Sequence, residues 1–332
     1  MNFKNVDIAI KKFKDQTTLV IGDLILDHFL WGSAGRISPE APVPVVLFEK
    51  EEYMPGGAGN VANNISALGG RSILLGVVGD DLNQKWLRES LHREGIDSFF
   101  PVVEEGRQTA KKTRVVAQRQ QVVRVDRESL ENIRSSTTKK LLDQFYTYLP
   151  SIGAVILTDY AKGLLTQELV SAVIEACNRD NVLLFFDPKP SHKIDFKGVS
   201  WLTPNRKETF ELAKVADRTF HSDPLKDTNL QLAITTVQSL YQPKYLLSTL
   251  GEDGMLLSLP DGSQYHIPTL AQKVFDVSGA GDTVIATLAL ALQSGAMPQE
   301  AVEIANQAAG IVVGKLGTAT VSVEELRTSM MG

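Results

Sequence analysis

Short apolar runs that each end in a polar or glycine-containing turn recur along the chain, and this pattern predicts buried strands. We expect strands over residues 18–23, 43–49, 72–78, 154–159, 182–187, 200–203, 245–249 and 254–259. Apolar residues that repeat every three or four positions predict helices over residues 60–68, 82–93, 166–178, 281–293 and 299–315, and from near residue 205. Because strands and helices alternate, we expect an α/β fold: a doubly wound, mainly parallel sheet with helices on both faces.

Two stretches, about 28–54 and 107–126, do not follow this alternation. Residues 112–126 are rich in Val, Arg and Gln, a composition that suits exposed strands better than a deep core. We therefore expect a small β lid, built from both stretches and inserted into a single domain over residues 1–332. An uncovered lid strand would leave an exposed sheet edge, so we also expect a homodimer that forms through the lid strands.

Charge and cysteine content narrow the classes of function. The chain has 34 basic and 39 acidic residues, and its net charge of −5 argues against binding to nucleic acid or to anionic membranes. The single cysteine, Cys177, lies on the apolar face of a predicted helix, where a small buried side chain is expected. The N-terminus lacks the apolar core of a signal peptide, and the apolar run 284–292 is too short to cross a bilayer. We expect a cytoplasmic protein.

The segment 276–283, Asp-Val-Ser-Gly-Ala-Gly-Asp-Thr, is the strongest chemical signal. A loop with two glycines leads directly into a long apolar helix, and the unpaired N–H groups at a helix start can bind phosphate oxygens. Asp282 falls in the first helical turn, where a carboxylate beside an anion site could deprotonate a hydroxyl. A simple capped helix is the alternative. Neither the P-loop motif nor the Gly-x-Gly-x-x-Gly dinucleotide motif occurs.

Four segments together resemble the PfkB/ribokinase family of ATP-dependent sugar kinases. Residues 276–283 resemble its C-terminal signature, and residues 55–62, Pro-Gly-Gly-Ala-Gly-Asn-Val-Ala, resemble its N-terminal one. Residues 205–208 match its Asn-x-x-Glu motif, and Gly-Asp at 22–23 followed by Asp27 matches a further one. The resemblance implies a ribokinase-like fold, a carbohydrate kinase activity, and ATP and Mg²⁺ as cofactors.

A narrower resemblance concerns the kinase part of bacterial heptose 7-phosphate kinase/adenylyltransferases. Residues 36–45, 120–126 and 317–321 are similar to that subgroup. It implies phosphorylation of D-glycero-β-D-manno-heptose 7-phosphate at O1, during synthesis of ADP-heptose for lipopolysaccharide. None of the five histidines begins the His-x-Gly-His motif of the adenylyltransferase part. We therefore expect a stand-alone kinase and a separate adenylyltransferase.

The resemblance implies specific roles around the 276–283 segment. Asp282 would be the general base on the sugar hydroxyl. The backbone N–H groups that would face the γ-phosphate belong to Gly279, Ala280 and Gly281. Asn205 and Glu208 would contact Mg²⁺ through water and the phosphates, although Asn followed three residues later by Glu is also a helix capping pattern.

The resemblance also implies a sugar site and a nucleotide site. The sugar would contact Asp27 and the backbone of Gly56, Gly57 and Asn60. The alternative for Asp27 is a solvated acid at a strand end, a role that suits Asp23 better. ATP would contact Thr249, Gly251, Gly254 and Lys189. From sequence alone, two alternatives remain: residues 249–254 could form an ordinary hairpin, and Lys189 could be an ordinary surface lysine.

The phosphate that the sugar already carries needs cations. Candidates in the two lid stretches are Arg36, Lys111, Lys112, Arg114, Arg119 and Arg124, of which Arg36 and Arg124 are the predicted substrate contacts. Two other functions stay open: a related kinase of ribose, a fructose phosphate or another sugar, and a non-catalytic sugar-binding protein.

Overall fold

A computed structural model describes residues 3–96, 98–118, 120–218, 221, 223–270, 274–315 and 317–331, and two β-sheets organise them. The strands are β1 (Thr17–Gly22), β2 (Leu24–Ile37), β3 (Pro44–Gly57), β4 (Arg71–Val78), β5 (Phe99–Val103), β6 (Ala110–Ala117), β7 (Gln120–Arg127), β8 (Ala154–Thr158), β9 (Leu183–Asp187), β10 (Trp201–Leu202), β11 (Tyr245–Thr249), β12 (Met255–Ser258) and β13 (Gln264–Ile267). The helices are α1 (Phe3–Lys11), α2 (Ala58–Ala67), α3 (Leu82–Arg93), α4 (Ser135–Tyr148), α5 (Gln167–Asp180), α6 (Arg206–Ala213), α7 (Thr228–Tyr241), α8 (Ala280–Gln293), α9 (Pro298–Val312) and α10 (Val323–Met331).

The larger sheet has nine strands in the order β13-β12-β11-β10-β9-β8-β1-β4-β5. All neighbours from β11 to β5 are parallel, and only the pairs β11–β12 and β12–β13 are antiparallel. The predicted mainly parallel sheet is therefore confirmed. Its carboxyl strand ends meet along one edge, where ligands bind in open α/β sheets.

Two hydrophobic cores cover the two faces of this sheet. In β1, Val20 packs into one core, while its neighbours Leu19 and Ile21 pack into the other. The first core takes the apolar faces of α2, α8 and α9, and the second takes those of α4, α5, α6 and α7. Strands buried on both faces read as continuous apolar runs, which is why the sequence marks them clearly.

The smaller sheet has the order β3-β2-β6-β7 and forms the lid. Its strands extend beyond the predicted stretches 28–54 and 107–126, because β2 begins at Leu24, β3 ends at Gly57 and β7 ends at Arg127. β2 pairs in parallel with β6, whereas the pairs β2–β3 and β6–β7 are antiparallel. Every residue of β7 is exposed.

Two further sequence predictions concern the single cysteine and the possibility of a membrane-spanning helix. Cys177 is fully buried, and burial raises the pKa of its thiol to about 12, so it is no nucleophile. Among the residues that the structure describes, no helix has both the length and the apolar character needed to cross a membrane.

Candidate active site

Asp282 lies in the first turn of α8, at the carboxyl edge of the large sheet, and its carboxylate has two hydrogen-bond donors. Asn60 in α2 donates to Oδ2 over 2.7 Å, and the Tyr160 hydroxyl donates to Oδ1 over 2.5 Å. Burial raises the pKa of Asp282 to about 6, against the opposing effect of these two hydrogen bonds. A carboxylate with this pKa is ionised at neutral pH and still basic enough to accept a proton.

Gly279 immediately precedes α8 and has a left-handed conformation, with φ of 81°. A Cβ atom at this position would lie 2.7 Å from Asn60 Nδ2, so only glycine leaves room for the Asn60–Asp282 hydrogen bond. Next to it, Gly281 is exposed and faces open space. The first N–H groups of α8 have no partner within the helix, although the Ala280 N–H donates to the Val277 carbonyl oxygen over 3.2 Å.

Asp27 lies in β2 at the base of the lid, where it is buried and forms an ion pair with Arg114 of β6. Gly56 on β3 comes so close that a Cβ atom there would meet Asp27 Oδ2 at 2.2 Å. Gly57 immediately precedes α2, which carries Asn60. The structure thus brings the predicted sugar-contacting residues to one place beside Asp282, and Asp27 raises the pKa of that group.

The basic residues of the lid fall into two groups. Lys112 lies opposite Asp27 in the β2–β6 pair, with its ammonium 6.0 Å from the Tyr160 ring centroid. Burial lowers the pKa of Lys112, and Asp27 opposes that effect. Arg124 of β7 lies opposite Arg114 and forms an exposed ion pair with Asp126, so it borders the same face.

The remaining lid cations lie apart from this face. Arg36 is exposed at the far end of β2, nine residues and roughly 25–30 Å along the strand from Asp27. Within one chain the structure therefore does not bring Arg36 to the Asp27 region. Lys111 lies over the ring of Trp86, on the opposite face of β6 from Lys112. Arg119 lies outside the described residues.

An apolar cleft of about 510 Å³ opens beside the start of α8. Its walls include the predicted nucleotide contacts Thr249, Gly251 and Gly254 and the helix-start residues Ala280 and Gly281. Apolar side chains supply much of the remaining wall, among them Val277, Val284 and Val313. An ordinary hairpin around residues 249–254 is one of the two interpretations of the sequence. Strands β11 and β12 do form this hairpin, and it lines one side of the cleft.

Asn205 and Glu208 form a complete capping box at the start of α6. The Asn205 side chain accepts from the Glu208 N–H over 2.9 Å, and Glu208 Oε2 accepts from the Asn205 N–H over 3.1 Å. Glu208 Oε1 accepts a charged hydrogen bond of 3.1 Å from Lys189. Asn205 and Glu208 therefore do cap α6, and the capping box also holds the Glu208 carboxylate in place.

Negative charge concentrates between α6 and α8. Burial raises the pKa of Asp187, at the end of β9, well above its usual range, and Glu208 and Asp282 raise it further. No cluster of three metal-ligating side chains occurs among the described residues. Mg²⁺ needs few protein ligands because it keeps several waters, so a fixed Glu208 beside this charge fits a water-mediated ion.

Tyr160 and Asp23 complete the site, and the sequence motifs gave Tyr160 no role. Asp23 accepts hydrogen bonds from the backbone N–H groups of Tyr160, Lys162 and Leu164. Asp23 is therefore a buried anchor for the loop that follows β8, and the expectation of a solvated acid at this position is wrong. The only signal for Tyr160 is its position two residues after the end of β8, a strand that ends at the ligand-binding edge.

Comparison with curated proteins finds relatives that share most of this chain. The bifunctional protein HldE of Trichlorobacter lovleyi is 42% identical over 327 residues, which are 98% of this chain and 65% of that protein. HldE of Sulfurimonas denitrificans is 42% identical over 314 residues, which are 93% of this chain and 63% of that protein. The chain thus spans slightly less than two thirds of the length of these relatives.

Comparison with solved structures supports a ribokinase-like fold. Ribokinase of Arabidopsis thaliana, solved with ribose and ATP, superposes with a TM-score of 0.74 at 18% identity, covering 96% of this chain and 99% of that one. Phosphofructokinase-2 of Escherichia coli, solved with substrates and products, gives 0.75 at 17% identity, covering 95% and 98%. The sequence also matches the pfkB family of carbohydrate kinases over residues 17–326. This chain therefore belongs to the pfkB family of carbohydrate kinases.

Proposed function

We propose that this protein transfers the γ-phosphoryl group of ATP to O1 of D-glycero-β-D-manno-heptose 7-phosphate, giving the 1,7-bisphosphate and ADP. The observation that carries the proposal is the position of Asp282, between the apolar cleft and the lid face that holds Asp27 and Lys112. The similarity to HldE proteins and the lid segment 36–45 favour a heptose phosphate over other sugars. We place the reaction in the cytoplasm, where ATP is available.

In the proposed reaction, Asp282 accepts the proton of the O1 hydroxyl as O1 attacks the γ-phosphorus. The bond from the γ-phosphorus to the bridging oxygen breaks, and ADP leaves with the electron pair. The N–H groups at Gly279, Ala280 and Gly281 would donate to the transferred group, because the start of α8 borders both Asp282 and the cleft; for Ala280 this would replace its hydrogen bond to the Val277 carbonyl oxygen. The cleft walls at Thr249, Gly251 and Gly254 would hold the nucleoside part of ATP.

The metal that such kinases use would be Mg²⁺, held through water by Glu208, with Lys189 beside it. When bound, Mg²⁺ neutralises charge on the phosphates. Asn205 keeps the Glu208 carboxylate oriented through the capping box.

The 7-phosphate of the sugar would lie against the lid face that carries Lys112, Arg114 and Arg124. Asp27 would accept hydrogen bonds from sugar hydroxyls while Arg114 balances its charge. Lys112 interacts with the reacting region, since its charge lowers the pKa of Asp282. Gly56, Gly57 and Asn60 would bring backbone close to the sugar ring.

The test is ADP release measured with a panel of acceptors: heptose 7-phosphate, unphosphorylated heptose, ribose and fructose 6-phosphate. We expect heptose 7-phosphate to give the highest kcat/KM and unphosphorylated heptose to be turned over far less efficiently. Efficient turnover of another panel member would show a related sugar kinase. Sugar binding without ADP release would show a binding protein. An Asp282→Asn preparation controls for contaminating kinases.

The pKa of Asp282 sets the expected pH dependence. The base must be ionised, so kcat/KM should be constant above a pH of about 6 and fall about tenfold per pH unit below it. Steady-state assays between pH 4.5 and 9 measure this profile. A profile that is flat down to pH 4.5 would contradict the assignment of Asp282 as the base.

We also propose that the protein is a homodimer that pairs through its lid strands. β7 is an edge strand on which Val123 and Val125 expose 48% and 58% of their surface. We expect sedimentation to give twice the chain mass of 36.3 kDa, and the Val125→Lys variant to sediment as a monomer. Leu232→Lys, at an exposed position on α7, should leave the dimer intact. A monomeric wild-type protein would contradict this proposal.

A further inference from the structure

Tyr160 faces Asp282 from a different part of the fold than Asn60 does. Its hydroxyl is 2.5 Å from Asp282 Oδ1, whereas Asn60 Nδ2 is 2.7 Å from Oδ2. Tyr160 follows β8, Asn60 belongs to α2, and Asp282 belongs to α8. Each carboxylate oxygen thus receives one donor from a separate element, which fixes the plane of the carboxylate. Each oxygen keeps a second lone pair for another partner.

The loop that carries Tyr160 is itself held firmly. The Asp23 carboxylate accepts from the N–H groups of Tyr160, Lys162 and Leu164 over 3.0, 3.0 and 3.2 Å. Asp159 accepts from the Ala161 N–H over 2.8 Å, and Ala161 has a positive φ of 54°. These bonds restrict how far the Tyr160 ring can move relative to the sheet edge.

We propose that Tyr160 is a positioning residue, which orients the Asp282 carboxylate so that a free lone pair faces the sugar hydroxyl. This proposal rests on the proposed function, in which Asp282 accepts the proton of that hydroxyl. It adds a requirement that the glycine motif does not contain: the base needs a donor from the loop after β8.

The charges around Asp282 determine how strongly Tyr160 affects its titration. Asp27 of β2 raises the pKa of Asp282, and Lys112 of β6 lowers it. Asp187, at the end of β9, also interacts with Asp282, whose charge raises the pKa of Asp187. Burial and Asp282 raise the pKa of Tyr160 well above its usual range, so its hydroxyl remains a donor. The hydrogen bond from Tyr160 favours the ionised form of Asp282 and opposes the effect of burial.

The test is the Tyr160→Phe variant, which removes one hydroxyl and keeps the ring. Loss of a hydrogen bond to a charged group should lower kcat about tenfold or more. It should also move the acidic limb of the kcat/KM profile to higher pH by about one pH unit. The matched control is Tyr148→Phe, because Tyr148 ends α4 and stacks on Phe100 of β5, so that its loss should change neither value.

A second measurement does not depend on activity. Titration of ¹³C-aspartate-labelled protein without substrate, with the Asp282 signal assigned by its absence in Asp282→Asn, should show a higher Asp282 pKa in Tyr160→Phe than in wild type. If the wild type phosphorylates no sugar, the proposed function fails, and this titration still decides whether Tyr160 controls Asp282. A fall in kcat with no movement of the limb and no change in the titration would show simple packing and overturn the proposal. Unchanged kcat and an unchanged profile would overturn it as well.

Discussion

The Asp282→Asn variant is expected to lose about 10²- to 10⁴-fold in kcat while it keeps its fold. Asparagine fits the same space: its oxygen can accept from Asn60 and its amide nitrogen can donate to the Tyr160 hydroxyl. It cannot take up the proton of the sugar hydroxyl. The KM for ATP should change little, because the cleft that would hold the nucleoside lies beyond the Asp282 side chain. Steady-state kinetics with saturating acceptor measure the loss.

The stability of this variant distinguishes a catalytic role from a structural one. The pKa of Asp282 is raised to about 6 in the folded protein, so its ionised form is disfavoured there. Protonated Asp282 therefore stabilises the folded state below the ordinary aspartate pKa, and this stabilisation is lost as pH rises through about 6. At pH 8 the variant should therefore have a Tm equal to or above that of the wild type. Asp180→Asn, at an exposed ion pair, is the matched control and should keep full activity. Near-normal turnover in Asp282→Asn would remove this residue from the mechanism.

The Asp27→Ala variant should show the largest loss of stability. Asp27 and Arg114 are both largely buried, and removal of the carboxylate leaves the guanidinium without its partner at the base of the lid. Breaking a buried pair in this way costs several kcal/mol, and we expect the free energy of unfolding to fall by about 3 kcal/mol. Urea denaturation measures it, and the KM for the sugar should rise as well.

A double variant separates the loss of the pair from the loss of packing. Replacing both residues, as Asp27→Ala with Arg114→Leu, removes the uncompensated charge and should recover a large part of the lost stability. Asp180→Ala breaks an exposed pair with Arg179 and should change the free energy of unfolding far less. If Asp27→Ala were no more destabilising than Asp180→Ala, Asp27 and Arg114 would not be coupled in the way that the structure indicates.

The sequence predicts the large sheet well because its strands are buried on both faces. The continuous apolar run at 154–159 matches β8 closely, and the helix expected over 82–93 has those bounds in the structure. The strand β2 was not predicted individually, and only its part from residue 28 was assigned to the β lid, because its first half is buried while its second half is exposed and no alternation results. Helices α4 and α7 were also missed. In α4, buried threonines replace part of the apolar stripe on which the pattern depends.

The candidate site was predictable where a local motif carries it and not where distant segments meet. The turn at 279–281 and Asp282 are adjacent in sequence and belong to one motif, so their proximity could be predicted. The contact between Asn60 and Asp282 joins residues 222 positions apart and needs the packing of α2 on α8. Tyr160 had no motif, since a single aromatic residue after a strand has many other uses. For Arg36 a local motif was misleading: its segment resembles the heptose kinases, but Arg36 lies at the end of β2 that is far from Asp27.

The most direct test of the account is the identity of the product formed from heptose 7-phosphate and ATP. ³¹P NMR of the reaction should show one new anomeric phosphate resonance on the sugar and one ADP for each, with the 7-phosphate resonance retained. ADP formed without a sugar bisphosphate, or phosphate transferred to another hydroxyl, would contradict the claim that Asp282 activates O1 beside the start of α8.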